Sequence, residues 1–262
     1  MSKTKVIAFA NNKGGSGKTT SCANIGYSLA QLGRKELLID GDMQLNLSLS
    51  FFTEDEVLEM AAGEKNLYYA IKNQKDLKEY IIHTPYENLD LIPSSMLMSG
   101  MEYELFTKWQ REFILRGCLK TIKASAEYDY ILIDCPPSLG ILTLNGLAAA
   151  DEILIPMQCE YFALEGIALL LQTVNKVKST TNPKLKIGGV FFTMYDSRTR
   201  LAQDVVSQVK SYFREKVFNT IIPRNVRLSE APSHGLPICK YDANCQGAKS
   251  YENLAKEVIE RG

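Results

Sequence analysis

The chain has 262 residues, 45% of them hydrophobic, which suffices for the buried core of one α/β domain spanning residues 1–262. Thirty basic residues balance thirty acidic ones, so no global field draws the molecule to nucleic acid, and any polyanion must be met by a local patch. Six scattered cysteines without a C-x-x-C pair exclude a disulfide scaffold and a structural zinc site, and they point to a reducing, cytoplasmic setting.

The first strand, Val6–Ala10, begins almost at once, leaving no room for a signal peptide. No apolar run approaches the ~20 residues of a membrane span, so no membrane association is expected. Next comes Lys13-Gly14-Gly15-Ser16-Gly17-Lys18-Thr19-Thr20, followed by apolar residues at helical spacing from Ala23 to Leu32. A Gly-rich turn between strand and helix is a phosphate cradle. Its glycines let backbone N–H groups turn inward, the helix dipole favours an anion, Lys18 reaches β- and γ-phosphates, and the Thr19 hydroxyl can ligate Mg²⁺. Asn12 stands where G-x-x-x-x-G-K-[ST] has its first glycine, and a second lysine, Lys13, follows it.

A buried strand, Leu37–Asp40, ends in Asp40-Gly41-Asp42. Asp42 is the candidate for positioning a water for in-line attack on a γ-phosphate, with Asp40 orienting its neighbours. Residues 51–86 are the least regular and most polar stretch and read as an irregular or helical insertion on the same domain. Further strands are expected at Leu89–Ile92, Tyr130–Asp134, Glu152–Pro156 and Ile187–Thr193, and helices at Thr19–Leu32, Arg111–Ser125, Leu164–Lys178, Leu201–Phe213 and Tyr251–Arg261. This alternation predicts a single doubly wound, mostly parallel sheet with helices on both faces, its ligand at the strand C-terminal ends. Asp134, ending an apolar strand, is the candidate metal-side carboxylate.

Other residues read more plainly. His83 and His234 lack the spacing of a metal site. Cys135 reads as strand-end packing rather than a nucleophile. Trp109 with Phe106 and Phe113 reads as core or dimer surface. Between Arg198 and Arg227, seven basic residues face only Asp204 and Glu215, a local excess of plus five that suits phosphate contacts. Helical spacing places Lys210 and Arg214 on one face.

Lys13–Thr20, Leu37–Asn46, Ile131–Thr143, Gln158–Gly166 and Ile222–Tyr241 together resemble the ParA/Soj family of partition ATPases. These belong to the deviant-Walker-A class of P-loop NTPases that includes MinD and the nitrogenase iron protein. The resemblance covers nearly the whole chain. It implies ATP and Mg²⁺ as cofactors and a homodimer that closes over two bound ATP molecules. Lys13 would reach the partner's phosphates, Gly14, Gly15, Ser16 and Gly17 would cradle the chain's own, Thr20 would meet the α-phosphate, and Pro223 and Asn225 would line the adenine pocket. It implies slow hydrolysis raised by a ParB-like centromere-binding protein. It also implies sequence-independent DNA binding by the ATP dimer, with Arg198 and Arg227 as contacts and hence association with the nucleoid.

A MinD-like membrane-associated regulator is the alternative, but it needs a basic amphipathic tail, and residues 254–262 carry two glutamates. An iron–sulfur reductase of the same fold would need a bridging cysteine pair that Cys239 and Cys245 do not evidently form. With no N-terminal helix-turn-helix extension, operator-specific autoregulation is not expected. One departure stands out. The family's Pro-Gln-Gly-Asn after the second aspartate reads Met43-Gln44-Leu45-Asn46 here, which restricts φ in a segment expected to rearrange with nucleotide state.

Overall fold

Apolar runs such as Leu37-Leu38-Ile39 and Ile131-Leu132-Ile133 need cover on both faces, and the computed structural model, which describes residues 4–160 and 163–262, provides it. Among the described residues seven strands form one sheet: β1 (Lys5–Phe9), β2 (Glu36–Asp40), β3 (Ile82–His83), β4 (Leu89–Ile92), β5 (Tyr130–Asp134), β6 (Glu152–Gln158) and β7 (Lys186–Thr193). Their order is β3-β4-β2-β5-β1-β6-β7. Every pair is parallel except β3 with β4.

The period of two divides side chains between the faces. Val6, Ala8, Leu37, Ile39, Ile131 and Ile133 join one core, whereas Ile7, Phe9, Leu38 and Leu132 join the other. Twelve helices cover the sheet among the described residues: α1 (Lys18–Gln31), α2 (Glu54–Ala62), α3 (Leu67–Asn73), α4 (Met98–Phe106), α5 (Ile114–Cys118), α6 (Lys120–Ser125), α7 (Ile141–Ala149), α8 (Ala163–Thr180), α9 (Arg200–Phe213), α10 (Val226–Glu230), α11 (Ile238–Tyr241) and α12 (Gln246–Arg261). The doubly wound parallel architecture of a P-loop NTPase is therefore present, with β1 an interior strand between β5 and β6. The register aligns Phe9 and Asp40 with Asp134, so the ends of β1, β2 and β5 converge on one edge.

Several local expectations are corrected. The helix expected over 111–125 is broken: a single 3₁₀ turn at Arg111–Phe113 leads into α5, and Leu119, at ψ −8°, separates α5 from α6. Gly117, a weak helix former, lies just before that break. Residues 51–86 are ordered by local chemistry. Thr53 and Glu56 form a reciprocal capping box on α2, and Asn66 caps α3. The polarity of the segment is thus that of caps and exposed helix faces. Trp109 is 89% exposed and Phe106 73%, so neither is core. Arg214 lies beyond the end of α9 at φ 50°, so helical spacing does not place it on a face with Lys210. Tyr161 and Phe162, within the Gln158–Gly166 block, lie outside the described residues.

Candidate nucleotide site

β1 runs through the interior of the sheet, between β5 and β6, and releases the chain into the loop that opens α1. Gly15 and Gly17 adopt left-handed backbone, φ 68° and 86°, which glycine enters without steric cost. A Cβ built on Gly14 or Gly15 would meet nothing within 4 Å, so the inner side of the loop is open. No side chain caps α1, and its first turn holds no acidic residue. Its first N–H groups and its dipole are therefore available to an anion. Neighbouring strand ends brace the loop from behind: the Thr193 hydroxyl donates to the Ser16 carbonyl at 2.8 Å, and Gln158 Nε2 donates to the Gly15 carbonyl at 2.7 Å.

The two loop lysines part company. Lys18 is buried, its Nζ donating to the Lys13 carbonyl at 3.2 Å. Burial lowers its pKa, while Asp134, then Cys135 and Asp42, pull it back up. Lys13 instead directs its ammonium to the Glu160 carboxylate, outside the cradle.

Asp134 is the electrostatic focus. It is fully buried, and neither carboxylate oxygen has a hydrogen-bond partner of good geometry. Burial, then the neighbouring Asp40, raises its pKa well above the usual carboxylate range, and the nearby Thr19 hydroxyl and Lys18 ammonium oppose that shift. An orphaned buried carboxylate is costly unless a cation or donor meets it. With the Thr19 hydroxyl beside it and an open cradle next to it, this donor set fits a hard, oxygen-seeking Mg²⁺ shared with phosphate oxygens. Such an ion would supply charge neutralisation on those phosphates.

Asp40 has a different task. It accepts from the Ser48 hydroxyl at 2.7 Å, the Ser48 N–H at 3.0 Å and the Asp42 N–H at 3.3 Å. Burial nevertheless lifts its pKa to about 6. It pins the chain from residue 42 to 48. The Asp42 carboxylate in turn accepts the Gln44 N–H at 3.2 Å. Cys135 is buried, and its thiol is pushed up to about 12 by burial and by Asp134, as packing rather than nucleophilic chemistry requires.

Lys18, Thr19 and Asp42 line a cleft of about 520 Å³ with the rest of Gly14 to Thr20, Gln44, Asn46, Ser50, Pro137, Thr193, Met194 and a wall from the 222–232 segment, whereas Lys13, Asp40 and Asp134 are not on its lining. Asn225 is on that wall but Pro223 is not, and Ile222, Arg224, Leu228, Ser229 and Pro232 supply the rest of it. Sequence reasoning missed Thr193, Gln158 and Met194. They come from strand ends more than 140 residues beyond the loop, and only the sheet order brings them back. Arg198, Lys210, Arg214 and Arg227 lie outside the cleft and are exposed. Arg198 is gripped by Asp196 through two hydrogen bonds of 2.9 and 2.7 Å, and Arg227 pairs with Glu230 at 2.9 Å.

Residues 4–187 match the family described as an AAA domain. The chromosome-partitioning ATPase Soj of Treponema pallidum is 56% identical over 257 residues, with 98% of each chain covered. A Borrelia burgdorferi protein assigned to plasmid partition and solved with AMPPNP superposes at TM-score 0.83 and 28% identity, with 99% of each chain covered. Cobyrinic acid a,c-diamide synthase of Mycobacterium smegmatis, solved with ADP and magnesium, superposes at TM-score 0.82 and 32% identity, covering 98% of this chain and 94% of that one.

Proposed function

The chain belongs to the ParA/Soj family of partition ATPases, and from that premise we propose that it is a nucleotide-switched, DNA-binding dimer. ATP with Mg²⁺ occupies the cleft. Lys18 and the loop N–H groups hold the phosphates, Thr19 and Asp134 hold the metal side, and Thr20 meets the α-phosphate. Asn225 and its neighbours on the 222–232 wall enclose the base, with Pro223 behind them. Asp42 orients the water that attacks the γ-phosphate.

The observation that carries the dimer is the divergence of the two lysines. A single cradle uses Lys18 alone, and Lys13 turns outward to an exposed carboxylate. A cation held at the rim of its own site is available to a facing one, where it neutralises transferring phosphate as an arginine finger does. Dimerisation is thereby coupled to the triphosphate. Two copies of the basic surface bearing Arg198, Lys210, Arg214 and Arg227 then grip DNA through its phosphates without reading sequence. Hydrolysis is slow until a ParB-like centromere-binding protein raises it, after which the dimer leaves DNA. Cycles of this kind on the nucleoid move plasmid, chromosomal or mobile-element DNA.

The test is gel filtration and salt-dependent DNA binding with ATP, ADP and no nucleotide. Asp42→Ala is expected to accumulate a DNA-bound ATP dimer, and Lys13→Ala to stay monomeric with ATP still bound. Equal DNA affinity in all three nucleotide states would overturn the reading.

A further inference from the structure

Leu45 occupies a backbone conformation that its side chain disfavours. Its φ is 60°, in the left-handed region where a Cβ crowds the backbone. Such outliers persist only where surrounding structure holds them, and they concentrate at functional sites. Here the holding interaction is visible. The Leu45 side chain is 5% exposed and joins the core beneath α1, as do Leu47 and Phe51.

Burial of Leu45 has a consequence on the opposite side of the chain. Residues on either side of it, Gln44 and Asn46, line the nucleotide cleft together with Asp42. The Leu45 N–H donates to the Asp42 carbonyl at 3.1 Å, closing a turn, and its own carbonyl accepts the Leu49 N–H at 2.9 Å. Within that turn the Gln44 N–H holds the Asp42 carboxylate. Two anchors therefore fix the segment: the Asp40–Ser48 hydrogen bonds at its ends, and an apolar plug in its middle.

We propose that Leu45 is a positioning residue for ATP hydrolysis, its buried side chain holding a strained turn that aims Asp42 into the phosphate cleft. The proposal rests on the reading of Asp42 as the group that orients water. Glycine at this position, as in the resembled family, meets no steric penalty at positive φ but has nothing to seat in the core. In this chain the restriction is transferred from backbone freedom to side-chain burial. Release of the turn then requires Leu45 to leave the core, which couples the segment's mobility to packing under α1.

The experiment compares Leu45→Gly, Leu45→Ala and Leu45→Met with wild type and Asp42→Ala. It reads single-turnover phosphate release, nucleotide affinity and far-UV circular dichroism. Glycine removes strain and plug together, alanine removes the plug alone, and methionine keeps an apolar plug of similar volume. Hydrolysis is expected to fall about tenfold in the glycine and alanine variants, with ATP affinity within twofold, and to recover in Leu45→Met. Leu45→Gly avoids the strain, so it serves as the folded test should Leu45→Ala not fold. Wild-type hydrolysis in Leu45→Gly, or an equal loss of ATP affinity and rate, overturns the proposal. Wild-type hydrolysis in Asp42→Ala would instead overturn the reading beneath it.

Discussion

Asp134 concentrates the tension between folding and function in one carboxyl group. Burial of this carboxylate destabilises the ligand-free protein, because the desolvation of its charge outweighs what the nearby Thr19 hydroxyl and Lys18 ammonium return. Its raised pKa fixes the sign of the pH effect. The folded state holds the proton more tightly than the unfolded chain, so the penalty is absent below the unfolded pKa near ~3.9 and grows as pH rises above it. Asp134→Asn is expected to raise the melting temperature of the nucleotide-free protein at pH 7, by about 2–4 °C for each ~1 kcal/mol of relieved penalty. It should flatten the fall of stability with rising pH and abolish the Mg²⁺ dependence of ATP binding. Calorimetry with and without Mg²⁺ and ATP reads all three, and a lower melting temperature of the free variant would refute the argument. At this scale much of the site was legible. The spacing in Lys13–Thr20 and the strand-end position of Asp134 point to a phosphate and metal chemistry without the fold. The left-handed Leu45 was legible only in part: the sequence signals restricted φ there, but which core receives the side chain is a tertiary fact.

Strands were the easiest elements to read, because continuous apolar runs bounded by polar turns leave little choice in a parallel sheet. Helices α2, α3, α4 and α7 escaped the reading. They are short, seven to nine residues each, too few turns for a periodic stripe to stand out, and α2 and α3 have their starts set by the caps Thr53 and Asn66. What no periodicity could disclose is how closely two strand ends approach. The Gly41 N–H donates to the Asp134 carbonyl at 3.0 Å, and a Cβ on Gly41 would stand 2.5 Å from that same oxygen. Glycine is thus required by proximity rather than by φ, and it lets the end of β2 pass close against Asp134 on β5 while Asp42 reaches the cleft. Gly41→Ala must push the strand ends apart against a rigid carbonyl. It is expected to cost about 1–3 kcal/mol of stability, read as a lower urea midpoint with unchanged slope. ATP affinity should fall with it, since the two carboxylates separate. Unaltered midpoint and affinity would show that the strand ends have slack.

Across the whole molecule, three of the cations with proposed roles at a distance are held by neighbouring carboxylates: Lys13 by Glu160, Arg198 by Asp196, Arg227 by Glu230. The basic window from Arg198 to Arg227 stops short of two of those acids, Asp196 and Glu230. Counting Asp196 and Glu230 reduces its excess from plus five to plus three. Exposed pairs of this kind are weak and salt-screened, so they tune binding rather than forbid it. Asp196 is the informative one. Its carboxyl is held down at about 2 by hydrogen bonds from the Arg198 side chain and backbone, so it stays ionised throughout the working range and, on the proposed reading, would compete with DNA phosphate for the same guanidinium. Asp196→Asn keeps an oxygen for the Arg198 N–H, which it accepts at 3.1 Å, and so retains the turn while removing the charge. In the ATP-bound state, affinity for non-specific duplex is expected to rise about two- to fivefold at low salt, with the gain shrinking as salt rises because phosphate contacts are counterion-linked. Arg198→Ala should lower affinity and reduce the salt slope by about one phosphate contact. Should Asp196→Asn bind no more tightly than wild type while Arg198→Ala binds as well, the basic surface is not where this molecule meets DNA.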